Sequence, residues 1–315
     1  MEDHQRKALL AYYNAARNPL THKGDYGRVF IIAGSEGMTG AAMLCAESAL
    51  RAGAGLAFLF APGKLLPIYE IGCREAVKIK VGTGEDSYFR QEHVGQVVQH
   101  ILAATGHSAV VLGPGVGTHT ETKLFVSGVL EELAAAGVAV ILDADGLNAY
   151  RGRCGQIARY TRVSGNRGKL VLTPHTAELS RLTGMEISEI RQHRREAALR
   201  TAALTGAVTV LKGSGTVIAD VLPTEEILCE INGSGNPGMA TGGSGDVLAG
   251  ILAGIIASDH PDAAAEPERR FFDLVRCGVY IHGFCGDLAA QRFGQRAVKA
   301  GDLIEMLKEV HRYEA

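Results

Sequence analysis

Five apolar runs in this chain each end at residues with chemistry to offer: VFIIAG, SAVVLGPGVG, VAVILDADGLN, KLVLTPH and AVTVLKG. Short runs of this kind, rich in Val, Ile and Leu without polar alternation, read as strands buried on both faces of a parallel sheet. Helical patterns separate most of them: SEGMTGAAMLCAESALRAG is a turn plus helix, and HVGQVVQHILAAT, TETKLFVSGVLEELAAAG and residues 187–204 are helices. GLAFLFAP and EAVKIKV add two more strands, and AVTVLKG with GTVIAD forms a hairpin joined at Gly213–Gly215 before the strand EILCEIN. Residues 4–17 open the chain as a helix; 245–257, 269–291 and 299–312 close it as three more, and SDHPDAAAEPER (258–269) is an exposed loop. Repeated strand, turn and helix predict an α/β fold: one doubly wound, mostly parallel central sheet with helices on both faces, as a single domain over residues 1–315.

Composition narrows the function classes. A net charge of −2 offers neither nucleic acid nor an anionic membrane a partner, and the absence of Trp argues against platforms for stacking bases. The six cysteines have no CxxC or zinc spacing, which suits buried thiols. The charged amphipathic N-terminus lacks a signal core, and the longest apolar run is roughly half of a membrane span. A cytoplasmic protein is expected.

In a doubly wound sheet the ligand lies beyond the carboxyl ends of the strands. The unusual residues fall there: Gly34–Ala42, Gly113–Gly117, Asp143–Asn148, Pro174–Glu178 and Lys212–Thr216. The richest stretch is NGSGNPGMATGGSGDVLAGILAG, residues 232–254. Gly243, Ser244 and Gly245 lead into an apolar helix, so their backbone amides form a nest for a phosphate or a developing anion. Asp246 is the odd member beside an anion site; it is the candidate general base for a substrate hydroxyl meeting a phosphoryl group. The bland alternative is an ordinary N-cap. No GxxxxGK[ST] is present, so this is not a Walker A loop, and GSEGMTG is not the GxGxxG of a dinucleotide-binding dehydrogenase.

Other candidates carry two readings each. Asp143 is the candidate for indirect magnesium binding through water, whereas Asp145 reads equally as a helix cap. His175, with Glu178 one turn on, reads as a substrate-orienting imidazole or as a surface residue beside a Thr173 or Thr176 cap. Lys212, followed by Gly213, Ser214, Gly215 and Thr216, reads as a lysine close to where a nucleotide phosphate would lie or as an ordinary solvated lysine at a turn. His193 and His282 read as solvated or packing residues.

Taken together and in order, HKGDYGRVFIIAGSEGMTGAA, GPGVG, DADGLN, LTPHTAELSRLTG, LKGSGTVI and NGSGNPGMATGGSGDVLAGILAG resemble the ADP/ATP-dependent NAD(P)H-hydrate dehydratases of the ribokinase-like superfamily. The match runs from His22 to Gly254. The resemblance implies repair of the S epimer of hydrated NADH or NADPH. The ring hydroxyl is phosphorylated and phosphate is lost, giving AMP from ADP or ADP from ATP, with Mg2+. Gly40, Ala41, Ala42, Gly117, His175 and Asp246 would face the hydrated dinucleotide. Lys212, Gly213, Ser214, Gly215, Thr216 and Gly245 would bind the adenine nucleotide. The resemblance leads us to expect a dehydratase domain without the epimerase domain that some relatives carry in front, with coupling to a separate epimerase, and a homotetramer. The rival expectation is a ribokinase-like kinase of a thiazole or pyrimidine alcohol, which would use the same anion hole and aspartate.

Overall fold

The computed structural model describes residues 3–163, 166–167, 169–259 and 266–313. The expected runs become strands β1 (Arg28–Ile32), β2 (Leu56–Pro62), β3 (Val77–Val81), β4 (Ser108–Leu112) and β5 (Ala139–Leu142). A two-stranded ribbon, β6 (Arg162–Val163) and β7 (Asn166–Arg167), stands apart from them. Then come β8 (Leu170–Leu172), β9 (Val208–Leu211), β10 (Val217–Val221) and β11 (Ile227–Ile231). The main sheet has nine strands in the order β11-β10-β9-β8-β5-β4-β1-β2-β3. Its pairs are parallel except for β10, which runs antiparallel to β9 and β11. From β1 the chain winds outward to β2 and β3 and returns to β4 on the other side of β1. The crevice between the carboxyl ends of β1 and β4 is therefore a topological switch point.

Alternation along β1 shows how both faces are covered. Val29, Ile31 and Ala33 enter one core with helices α1 (Asp3–Tyr13), α2 (Thr39–Arg51) and α3 (Leu66–Gly72). Phe30 and Ile32 enter the opposite core with α4 (Val94–Leu102) and α5 (Thr120–Ala135). The one-turn helices α6 (Asp145–Asn148) and α7 (Ala158–Thr161) follow β5. A third core joins α8 (Thr176–Thr183), α9 (Ile187–Gln192) and α10 (Arg194–Thr205) to β9 and β10. The first core is completed by α11 (Ser244–Ser258), α12 (Pro267–Phe293) and α13 (Ala300–Met306). None of the described helices is long and apolar enough to cross a membrane.

Several expected boundaries move. The first helix stops at Tyr13, short of the expected 17; the Asn14 amide still closes onto Leu10, and its side chain donates to the Val310 carbonyl. The helix expected across 187–204 breaks at His193 (φ −126°, ψ 54°) into α9 and α10. The last helix ends at Met306, and the chain tightens into a 3-10 turn that buries Val310. Helix α3 adds an element between the two expected strands GLAFLFAP and EAVKIKV, with Pro67 in its first turn as its helix-start signal. Of the loop expected at 258–269, residues 260–265 lie outside the described residues, while Ser258 is the last residue of the helix before it and Pro267–Arg269 already belong to the helix after it.

The packing that positions the site is the crossing of α11 over α2. A Cβ on Gly250 would lie 2.0 Å from Ser48 Oγ and 2.3 Å from the Cys45 carbonyl oxygen; one on Gly254 would lie 2.4 Å from the Ala49 carbonyl. The two backbones meet because both residues lack side chains. Replacing Gly250 by Val should therefore lower unfolding free energy by about 1–3 kcal/mol through overpacking, read from the denaturant midpoint. An unchanged midpoint would show that the crossing tolerates a wider spacing.

Candidate active site

The turns at the carboxyl ends of β1, β4, β5, β8 and β9 converge on the first turn of α11. Gly243 is its N-cap, with φ 91°, and no side chain caps the helix. A Cβ there would meet Leu44 at 2.6 Å and Ala300 at 2.9 Å. Among the described residues the amides of Gly243, Gly245 and Asp246 have no protein acceptor, while Ser244 and Val247 bond back to Thr241 and Gly243. Unpaired amides at the positive end of a 15-residue helix form an anion site. His282 Nε2 lies 2.9 Å from the Ser244 carbonyl oxygen and donates to it; burial drives this imidazole down to about 4, so it stays neutral as a packing residue.

Below that turn lies a group of charges from four elements. Lys212, just past β9, places Nζ 2.7 Å from Asp143 Oδ1 and 3.7 Å from Glu178 Oε2. Burial disfavours the ammonium, but Asp143 and Glu178 outweigh it and hold Lys212 above its ordinary value. A Cβ on Gly245 would stand 3.4 Å from Lys212 Nζ and 3.8 Å from Asp143 Oδ2, so glycine keeps α11 close to the pair. Asp246 points into the same space. Burial, then the charge of Asp143, pushes its carboxyl up to about 6, with Lys212 pulling the other way. A carboxylate tuned near neutrality beside unpaired amides can take a proton while an anion is held.

Asp143, expected to hold magnesium through water, is 1% exposed and gives one oxygen to Lys212. Asp145 does not cap its own helix: it accepts the Gly117 amide at 3.0 Å and the Asn148 side chain at 3.1 Å. His175 is itself the cap of α8, instead of a surface residue beside a Thr173 or Thr176 cap. Its Nδ1 accepts from the amides of Ala177 (3.1 Å) and Glu178 (3.2 Å), and Glu178 Oε2 accepts the His175 amide at 2.7 Å. This leaves the hydrogen on Nε2, 3.3 Å from Glu178 Oε1. Burial is the main cause that lowers the imidazole's value, with Lys212 and Arg181 adding to it against Glu178. A parallel bridge to Lys212 keeps the half-exposed ring beside the lysine.

The residues expected at the dinucleotide surround the switch point. Ser35 donates to the Gly115 carbonyl at 2.8 Å and the Gly34 amide to the Pro114 carbonyl at 2.8 Å, tying the two turns together. Gly40 is exposed over open space, Ala41 is half-buried, and Ala42 is wholly buried in the core beneath them. Gly117, at φ 87°, is half-buried. In the expected nucleotide loop Gly213, Ser214 and Gly215 are exposed, and Thr216 closes the loop on the Gly213 carbonyl at 3.0 Å. Arg194, which no sequence signal marked, lies against this loop. A cavity of about 560 Å³ at the opposite end of the sheet, lined by Ser108, Ala139 and Arg270 among others, contains none of these residues.

The family model for NAD(P)H-hydrate dehydratase matches residues 29–309. A bifunctional NAD(P)H-hydrate repair enzyme from Thermofilum pendens is 36% identical over 94% of this chain and 52% of its own. The chain spans about half the length of the curated relatives it matches. The ADP/ATP-dependent NAD(P)H-hydrate dehydratase of Bacillus subtilis, co-crystallised with ATP and Mg2+, superposes with a TM-score of 0.74 at 29% identity, covering 95% of this chain and 94% of that one. A ribokinase-like superfamily protein from Enterococcus faecalis superposes with a TM-score of 0.75 at 25% identity, over 98% and 95% of the two chains.

Proposed function

The chain belongs to the NAD(P)H-hydrate dehydratase family, and we propose that, acting as one catalytic unit, it dehydrates the S epimer of hydrated NADH or NADPH at the expense of ADP or ATP. The observation that carries this is Asp246: a carboxyl raised to about 6 on the first turn of α11, among unpaired amides and facing Lys212.

Hydroxide is a poor leaving group near neutral pH, so the ring hydroxyl is first made into a phosphate ester. The hydrated nicotinamide ring lies over Gly40, Ala41 and Gly117, with Ala42 as floor beneath them and His175 Nε2–H as an orienting donor. The nucleotide lies along Lys212–Thr216 and Gly245. Asp246 takes the proton from the C6 hydroxyl as its oxygen attacks the terminal phosphorus, and the bond to the leaving AMP or ADP breaks. Amides at Gly243–Gly245 and the Lys212 ammonium stabilise the charge spread over the phosphoryl oxygens. The ring nitrogen lone pair then expels phosphate from C6, and loss of a proton from C5 restores the dihydropyridine.

Magnesium suits this site as a companion of the nucleotide. No three His, Cys, Asp or Glu side chains among the described residues converge to hold an ion, and Asp143 is engaged with Lys212. When bound, the ion would offset repulsion between phosphate oxygens. The same reading places the protein in the cytoplasm as a homotetramer. It also needs an epimerase to supply the S epimer; because the relatives' names join two functions in one chain, that partner is proposed as an activity instead of a separate protein.

The test mixes purified protein, hydrated NADH, Mg2+ and either ADP or ATP, and follows the NADH absorbance band and free phosphate. Both should rise together, only with nucleotide, and the faster donor identifies the preferred one. Nucleotide consumption on a thiazole or pyrimidine alcohol, with no NADH formed, would move the protein to the kinases.

A further inference from the structure

Arg194 is the first residue of α10, immediately after the break at His193. Its Nη2 donates to the Leu211 carbonyl at 2.9 Å and approaches the Lys212 carbonyl at 3.3 Å; Nη1 reaches Thr176 Oγ1 at 3.5 Å. Nε is buried with no hydrogen-bond partner among the described residues. A Cβ on Gly213 would lie 3.0 Å from Nη2, so the planar guanidinium lies flat beneath that glycine, whose φ is 149°. Among the described residues no carboxylate pairs with it, and burial alone perturbs it, downward. Placing half-buried positive charge against neutral carbonyls costs desolvation that an ion pair would have returned. Stability alone gives little reason to put it there.

Among the described residues, the loop it supports is otherwise hydrogen-bonded at its two ends and across its own Gly213–Thr216 turn. At one, the Lys212 amide bonds to Pro174; at the other, Thr216 folds back on Gly213. Between these points Gly213, Ser214 and Gly215 are exposed. A planar fork bonding several acceptors at once fixes such a backbone better than a point charge does. We propose that Arg194 is a positioning residue for the adenine-nucleotide loop. Its guanidinium sets the Leu211–Gly213 backbone at a fixed distance from Thr176, and it leaves unpaired positive charge beneath the place where phosphates arrive. This rests on the reading of Lys212–Thr216 as the nucleotide loop.

Calorimetric titration of ADP and ATP, each with Mg2+, into wild type, R194Q and R194K tests it, alongside KM for hydrated NADH and thermal melts. R194Q should weaken nucleotide binding about tenfold or more while the KM for hydrated NADH moves less than about threefold. R194K, which keeps the stem and charge but not the fork, should fall between. If R194Q does not fold, R194K decides: a nucleotide-selective loss supports the role. Nucleotide affinity within about twofold of wild type in the variants, or an equal loss for both substrates, overturns it and leaves the nucleotide-loop reading standing. Wild-type protein that binds neither nucleotide overturns both.

Discussion

Replacing Asp246 by Ala is expected to slow dehydration of hydrated NADH by about 10²–10⁴-fold, the usual contribution of a positioned general base. Nucleotide affinity should change little, since the amides at the start of α11 are backbone groups. The pH profile gives the sharper test. Asp246 must be ionised to accept a proton, and its carboxyl sits near 6. Wild-type turnover should therefore rise through that pH and level off above it, and the residual rate of D246A should lack this limb. A stability effect of opposite sense accompanies it. The folded value lies above the ordinary 3.8, so between the two the folded protein keeps a proton that the unfolded chain has released. Stability from this group is complete below 3.8 and is lost as pH rises through about 6. D246N removes the buried charge, so it should be inactive yet more stable near neutral pH, by about 1–3 kcal/mol, with the gain fading in acid. A variant that keeps near-wild-type turnover, or a flat wild-type profile, would remove Asp246 from the role of base.

What the sequence made legible was the sheet and its chemical edge. Residue type alone marks β1, β4, β5, β8 and β9, because strands buried on both faces must be apolar throughout, and every polar or glycine residue at their ends then stands out. The αL glycine at 243 and the uncapped helix behind it follow from local chemistry too. The less visible features are long-range choices. Lys212 and Asp143 are 69 residues apart, and no periodicity joins them. In TPHTAE the threonines are the better cap residues by type, yet the imidazole of His175 takes the amides because Glu178 binds its backbone N–H in return. LAGILAG reads as a plain apolar helix; only the approach of α2 shows why Gly250 and Gly254 carry no side chain. Arg194 is one of several arginines on a polar helical stretch, distinguished only by the break at His193 that aims it inward.

The second large effect concerns the pair that supports Asp246. Changing Lys212 to Met should cost about 3–5 kcal/mol of stability, because it leaves Asp143 buried, charged and unpaired. The converse loss is smaller: the Lys212 side chain is 19% exposed and can turn to water, whereas that of Asp143 is 2% exposed and cannot. In urea melts D143N should therefore lie between wild type and K212M, and the double variant K212M/D143N should recover much of the K212M loss, a positive coupling between neighbours. The pair also tunes the proposed base. Lys212 is the influence that lowers the Asp246 value and Asp143 one that raises it. Removing Lys212 should thus carry the acid limb of the pH profile to higher pH, and removing Asp143 should carry it to lower pH. K212M would then be slow near neutral pH for two separable reasons, weaker phosphate binding and a protonated base, and raising the pH should restore only the second. If the double variant is no more stable than K212M and the limb stays in place, the two residues do not act on Asp246 as a pair.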